Sequence, residues 1–504
     1  MKLHSVLTLG ALVVTPCRAS CSSSPLIDCL NSKEVPFKLP CDSDWNDYAP
    51  TFNVRLPVTP AVIVVPKLTT ELGDAVVCAD HNHIHVQARS GGHSYASYSH
   101  GGVDGAMMVD LKNFNSVHMA PGNSGQNATA YVGGGVRLGN MAKAIYDADK
   151  RAMAHGTCSG VGIGGHATHG GYGFSSRSWG LALDQITGLD VILADGKLVT
   201  ATADQYPDVY WAMRGAADSI GIATGFYMQT SPAPEKVVNF VYDLSPFSAV
   251  NVSTAVDSFL KIQDFVHNST SIDRKLGFGM TLGKTSGDKG TGIFRLQGAY
   301  LGSEAEYTSL VEPLFLGGLQ WATKNVTEYD WPSSLAALDG VSLTPPDPYN
   351  LHSNFFAKSV VVPEPGMNEK ALTTYFEYIL NGPKAPTDYF ILVDLWGGAD
   401  SQINTKDTEF AAFPYRNTLW VAQHYAQVAG DSPFPKEGID WLNGLNDAMT
   451  QNLPVWHMYQ NYIDPTLSRE EAQAQYYTPE VLRRLRQLKE YFDPNNVFAN
   501  PQSI

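Results

Sequence analysis

The sequence predicts an α+β fold divided among two or three domains, and three observations carry that prediction. The chain has 504 residues, more than one hydrophobic core usually supports. From Phe52 to about Met228, short apolar strands and glycine-rich turns are interleaved with a few helices. After Gln229 the segment Ser231-Pro-Ala-Pro234 punctuates the chain, and up to about Pro454 strands, helices and many aromatics follow without the earlier glycine density. That shift marks a second domain.

The elements follow in order. Ala61-Val-Ile-Val-Val65 reads as a buried strand, and Thr69 to Asn82 reads as a helix with a Thr cap, an early Glu71 and apolar spacing. Ile84 to Ala88 is a further strand. Leu189 to Leu193 and Lys197 to Ala201 flank Asp195-Gly196, a strong hairpin signal. The tail holds a helix from Pro479 to Tyr491, ended by Asp493-Pro494, where proline stops helical continuation. There are no repeats and no low-complexity tract.

Charge narrows the partners. The formal net charge of −15 argues against a nucleic-acid partner, which requires a basic surface. Met1-Lys2-Leu3-His4 and the apolar run Val6 to Val14 have the n-region and h-region of a secretory signal, with a cut near Ala19 or Ser20. The run is too short to span a bilayer, so the mature chain is expected to be secreted, extracellular and free of the membrane. Four sequons, at Asn127, Asn251, Asn268 and Asn325, fit passage through a glycosylating compartment. Of six cysteines, Cys17 leaves with the signal. Cys21, Cys29, Cys41, Cys78 and Cys158 remain, and an odd number means that one thiol has another task.

Two segments carry the chemistry: Arg89-Ser-Gly-Gly-His93-Ser-Tyr95, and His155-Gly-Thr-Cys158-Ser-Gly-Val161-Gly-Ile-Gly-Gly-His166, which runs on to Gly170-Gly-Tyr-Gly173. Glycine at this density lets backbone N–H groups approach a phosphate, so a nucleotide cofactor follows. Gly160, Gly162 and Gly165 satisfy G-x-G-x-x-G, yet Ala154 to Ser159 does not read as the strand that a dinucleotide fingerprint needs. His81, His83 and His85 alternate as ligands on a strand would. His81 and His83 fall at a helix end, however, with no acidic or Cys partner nearby, and no metal is expected.

Together the R-S-G-G-H-S-Y and H-G-T-C-x-x-V-G-x-G-G-H motifs resemble the berberine-bridge-enzyme-like branch of the vanillyl-alcohol-oxidase flavoprotein superfamily, whose flavin domain is of the PCMH type. The tail Tyr491-Phe-Asp-Pro-Asn-Asn-Val-Phe498 and the terminal Gln502-Ser-Ile504 resemble the same family. Within it the chain is most similar to fungal oligosaccharide oxidases acting on gluco-, xylo- or chito-oligosaccharides.

The resemblance implies an FAD-binding domain of two α/β subdomains at 21–230 after a signal at 1–20. It further implies a substrate domain at 231–454, with an antiparallel sheet flanked by helices, and a C-terminal segment at 455–504 that returns to the FAD domain. FAD would be held bicovalently, His93 on its 8α-methyl and Cys158 on C6. Arg89, Ser90, Gly91, Gly92, Ser94, Val161, Gly162, Gly164, Gly165 and His166 would complete the cofactor site. Val161 occupies the family's oxygen-gating position, where valine goes with oxidases. Cys29 with Cys78 would match the family's N-terminal disulfide, leaving Cys21 with Cys41 as a second pair.

Oxidising a hemiacetal to a lactone requires a base for the anomeric hydroxyl proton. Tyr459-Gln-Asn-Tyr462 resembles the family's Y-x-N-Y and assigns the base to Tyr462. Asp394, in Val393-Asp-Leu-Trp-Gly-Gly398, matches the acidic residue of the W-D-x-x-G-G stretch of glucooligosaccharide oxidases and would assist it. This chain has Val393 where they have tryptophan, and Asp339 where they have a substrate-stacking tyrosine. Tyr95, Thr157, Trp396 and Gln423 are expected to touch sugar. The implied partners are an oligosaccharide and O2, with the chain a monomer. The alternative is a related flavin oxidase acting on an aromatic, alkaloid or secondary-metabolite alcohol.

Overall fold

Val62, Ile63 and Val64 are shielded from solvent and form the middle of the first of three main sheets. The computed structural model describes residues 23–120, 128–246, 251–270, 272–284, 293–340, 342–344, 351–430 and 432–504. The signal segment, Cys21 and the Asn127 sequon lie outside the described residues.

In the first sheet, β1 (Phe37–Lys38), β2 (Val62–Val64), β3 (Val86–Arg89) and β4 (Met107–Asp110) take the order β1-β2-β4-β3. β2 and β3 both pair in parallel with β4. The crossover between β2 and β3 is the helix Thr69–His81, whose Leu72, Val76 and Ala79 bury against the sheet. Its N-cap is Leu68 rather than a Thr, because the Glu71 carboxylate accepts from the Lys67 and Leu68 N–H groups. The strand after it begins at Val86, two residues later than expected, since His83 turns the chain at φ 55°. Cys29 and Cys78 are bridged, stapling the first helix, Pro25–Ser32, to this crossover. Cys41 is also disulfide-bonded.

The second sheet is antiparallel, with β5 (Val117–Met119), β6 (Thr129–Gly133), β8 (Ile186–Ile192), β9 (Leu198–Ala201) and β10 (Ile222–Gln229) in the order β5-β6-β10-β8-β9. β8 and β9 form the expected hairpin, with Gly196 at φ +78° in its turn. Between β6 and β8, β7 (Arg151–Ala152) pairs with β11 (Ser231–Pro232). The C-terminal helix Pro479–Phe492 packs Val481 and Leu485 into the core of the second sheet. Lys489 ties this end down, its ammonium donating to Asp493 and to the carbonyls of Ser219 and Phe498.

The third sheet has seven antiparallel strands: β12 (Val237–Pro246), β13 (Leu276–Lys284), β14 (Ile293–Tyr300), β15 (Thr323–Tyr329), β16 (Asn354–Pro363), β17 (Asp388–Leu395) and β18 (Thr418–Val428). Their order is β15-β12-β14-β13-β17-β18-β16. Alternation sorts its two faces. Ile391, Val393 and Leu395 point into a core with Phe259, Phe376 and Leu442 from the helices Val252–His267, Glu369–Asn381 and Lys436–Thr450. Leu392 and Asp394 point to the other face, which lines a cavity. Val393 is therefore a core position on the helical side. Among the described residues no helix is long and apolar enough to cross a membrane.

Candidate active site

The two glycine loops press against each other. A Cβ on Gly91 would come within 2.1 Å of the Gly162 nitrogen, and one on Gly162 within 2.0 Å of the Gly91 nitrogen, so only glycine permits the approach. Arg137 binds the loops together, its guanidinium donating to the carbonyls of Gly91 and Gly160. Ser90 Oγ donates to the Gly134 carbonyl at 2.6 Å and accepts from the Gly164 N–H at 3.2 Å.

Two cavities share a wall at this junction. One, of about 510 Å³, runs along Gly91, Gly92, His93, Ser94 and Gly165. The other, of about 430 Å³, is bounded by Thr157, Asn239, Gln297, Leu392, Asp394 and Gln423. Tyr95, Cys158, Val161, His166, Asn461 and Tyr462 line both.

The first cavity fits a flavin nucleotide. His93 Nε2 is buried without a hydrogen-bond partner, and burial, aided by the Arg137 charge, pushes the imidazole down to about 4. The ring stays neutral at physiological pH with a nitrogen available for bonding. Phe52 stacks on it with centroids 4.5 Å apart. A Cβ on Gly160, two residues from Cys158, would lie 3.3 Å from that same nitrogen, so the loops bring both proposed anchors to one place. Cys158 is the free cysteine among the described residues, and burial raises its thiol, opposed by hydrogen bonding from the Gly160 backbone. A Cβ on Gly165 would meet nothing within 4 Å, the open space a cofactor would fill.

Three expected site residues line neither of these two cavities. Arg89 is engaged by Asp110 at 2.7 Å, in a pair almost wholly buried, and by the Tyr48 carbonyl; it supports the loop from behind. Gly164 faces a narrow extension of about 90 Å³ bordered by Gly165, Thr168 and Asp218. Trp396 is 1% exposed and stacks on Tyr172 at 5.2 Å with Tyr459 edge-on at 5.1 Å. It backs the wall that Tyr172 and Tyr459 present to the second cavity.

The tyrosines of the C-terminal motif sit in the short turn Gln460–Tyr462 and the residue before it. Tyr462 stacks beside Tyr95 with centroids 5.9 Å apart and rings 18° from parallel, and Tyr459 meets it edge-on at 5.1 Å. The Tyr459 hydroxyl accepts from the Gly171 N–H and the Asn461 amide, each at 2.9 Å. Gln423 donates to the Tyr95 hydroxyl at 2.6 Å. Burial first, and then the charge of Asp394, push Tyr462 well above the ordinary phenol. Burial also raises Asp394 to about 7.

Asp339 occupies neither cavity wall. Its carboxylate ends the helix Trp331–Asp339 and accepts from the Ser159 N–H at 3.0 Å, bracing the loop that carries Cys158. Sequence reasoning had no signal for Arg137, whose role exists only through partners distant in sequence. Tyr459 and Asn461 lay inside the motif already quoted.

The comparisons agree with this geometry. A family of FAD-binding domains matches residues 60–202, and the berberine and berberine-like family matches residues 458–504. A xylooligosaccharide oxidase of Thermothelomyces thermophilus is 35% identical over 518 residues, covering 99% of this chain and 98% of its own length. The solved xylooligosaccharide oxidase of Myceliophthora thermophila C1, in complex with xylobiose, superposes with a TM-score of 0.87 at 34% identity, over 95% of this chain and 99% of that one. The glucooligosaccharide oxidase of Acremonium strictum, described with a 6-S-cysteinyl, 8α-N1-histidyl FAD, gives 0.86 at 29% identity, over 95% and 99%. With matches that run nearly end to end, and with paired glycine loops opening on one cavity, the chain belongs to the berberine-bridge-enzyme-like branch of the FAD-dependent oxidoreductases.

Proposed function

We propose that the protein is a secreted, monomeric oligosaccharide oxidase that converts the reducing-end C1 hydroxyl to the lactone and reduces O2 to H2O2. The observation that supports this most is the shared wall: Cys158, Val161 and Tyr462 border both cavities, and Asp394 borders the second. Residues 21–230 and 455–504 would hold FAD, covalently through His93 and Cys158, while 231–454 would hold the saccharide. The chemistry FAD supplies is acceptance of hydride from C1 and passage of the electron pair to O2.

The chain's own residues handle the proton. Burial keeps the Tyr462 phenol protonated, so it acts as a relay. Its oxygen takes the C1 hydroxyl proton as its own proton passes to Asp394, whose carboxylate predominates above about pH 7. Tyr95, Thr157 and Gln423 offer an aromatic face and polar groups for the reducing-end ring.

Peroxide release should be measured on cellobiose, xylobiose, chitobiose and maltose beside a panel of aromatic alcohols. Peroxide from at least one disaccharide is the expected result. Turnover of aromatic alcohols with none of any saccharide would overturn the reading.

A further inference from the structure

Asn325 lines the second cavity from β15, the edge strand of the third sheet. A straight line of paired residues crosses the third sheet: Asp394 faces Gly279, Gly279 faces Gln297, Gln297 faces Val241, and Val241 faces Asn325. Four strand spacings make that line about 19 Å long. An oligosaccharide with its reducing end at Asp394 and its chain laid along that row would run toward Asn325.

β15 is the edge strand, and alternation settles which way its side chains face. Val326 packs toward the helix-covered core, and Lys324 pairs with Glu312. Asn325, Thr327 and Tyr329 line the cavity. Asn325 is exposed, and Thr327 Oγ1, the hydroxyl of its sequon, lies 3.1 Å from the Asn325 amide oxygen. Asn251 and Asn268 stand at the two ends of the helix Val252–His267, which packs on the opposite face of the sheet.

We propose that Asn325 carries an N-linked glycan that closes the distal end of the saccharide cavity and so limits the length of substrate accepted. The attachment joins the Asn325 amide nitrogen to the anomeric carbon of a lipid-pyrophosphate-linked glycan. The carbon–oxygen bond to pyrophosphate breaks, the lipid pyrophosphate leaves with its electron pair, and the amide releases one proton. The inference rests on the proposed oligosaccharide oxidase reading and on the secretory route.

The test uses full-length protein secreted from a fungal host: wild type, Asn325→Gln, Thr327→Ala, Asn251→Gln, and wild type trimmed with an endoglycosidase. Glycopeptide mass spectrometry reads occupancy, and peroxide release over di- to hexasaccharides of the cello-, xylo- and chito- series reads the chain-length profile. Asn325 should be occupied. Asn325→Gln, Thr327→Ala and the trimmed wild type should each raise the hexasaccharide-to-disaccharide ratio of kcat/KM by about tenfold, which corresponds to about 1.4 kcal/mol. Asn251→Gln should leave the ratio unchanged. An unoccupied Asn325, or an occupied one whose removal and trimming both leave the ratio unmoved, overturns the cap while the oxidase reading stands. If no saccharide of any length gives peroxide, the oxidase reading fails and takes the cap with it. Should Asn325→Gln fold poorly, the trimmed wild type answers alone.

Discussion

Gly279 faces Asp394 across the β13–β17 pair, and a Cβ on Gly279 would come within 2.4 Å of Asp394 Oδ1. The carboxylate therefore lies over a strand position that has no side chain. We predict that Gly279→Ala displaces Asp394 and lowers kcat by about 100-fold, the size expected when a catalytic group moves by about 1 Å. Saccharide KM should change much less. A variant with native melting temperature and unchanged kcat would show that the carboxylate tolerates the shift.

Asp394 also sets a pH dependence. An unfolded aspartate titrates near 3.9, whereas burial raises this one to about 7 in the fold. Between those values the folded chain holds a proton that the unfolded chain has lost, so stability falls as pH rises through the window and levels off above it. Asp394→Asn should remove that decline and gain stability relative to the parent at pH 8, while abolishing the rise in kcat/KM through about pH 7. Parallel melting curves and rate profiles from pH 4 to pH 9 check both signs. An unchanged rate profile in the variant would remove Asp394 from the relay.

How much of this was legible in the sequence follows from how local each signal is. The β8–β9 hairpin was readable because Asp195-Gly196 encodes its own turn, and the C-terminal helix because Asp493-Pro494 ends it. The glycine loops suggested a nucleotide cofactor, but glycine density also suits tight turns, and it was the resemblance of their two motifs that pointed to FAD. Arg89 and Trp396 lie behind the walls of the two main cavities for a shared reason: a motif gives adjacency along the chain, not which way a side chain turns. Asp110 takes up Arg89, and Tyr172 stands between Trp396 and the cavity. The register that aligns Asp394 with Asn325 depends on four strand pairings that no local pattern encodes.

Val161 borders both cavities, so its bulk bears on what reaches the space between them. Val161→Leu adds a methylene there. We predict that peroxide formation slows with O2 as acceptor while turnover with an artificial dye acceptor stays close to the parent. Equal loss with both acceptors would mean that the residue matters only for packing.

Both proposed anchors can be tested without turnover. His93 Nε2 has no hydrogen-bond partner and Cys158 is in no disulfide, and intact-mass spectra of the denatured mature protein should show one FAD per chain. His93→Ala and Cys158→Ala should each retain some linked flavin, and the double variant none. Quantitative release of free FAD from the unmutated protein would exclude covalent attachment.

Tyr462 provides the most direct test of the proton path. It lies between Tyr95, stacked at 5.9 Å, and Tyr459, edge-on at 5.1 Å, so replacing it with phenylalanine keeps the ring packing and removes only the hydroxyl. If that hydroxyl relays the C1 proton to Asp394, Tyr462→Phe should slow the anaerobic reduction step by about two to four orders of magnitude, the usual contribution of a positioned general base. The lost interaction belongs mainly to the transition state, so saccharide affinity should change far less. Asp394→Asn should slow the same step, and the double variant should be little worse than the slower single one, because the two groups act as one relay. Stopped-flow reduction at saturating disaccharide measures all four proteins. A Tyr462→Phe rate within about threefold of the parent, far short of the loss a missing base produces, would exclude the relay and require another group to take the proton.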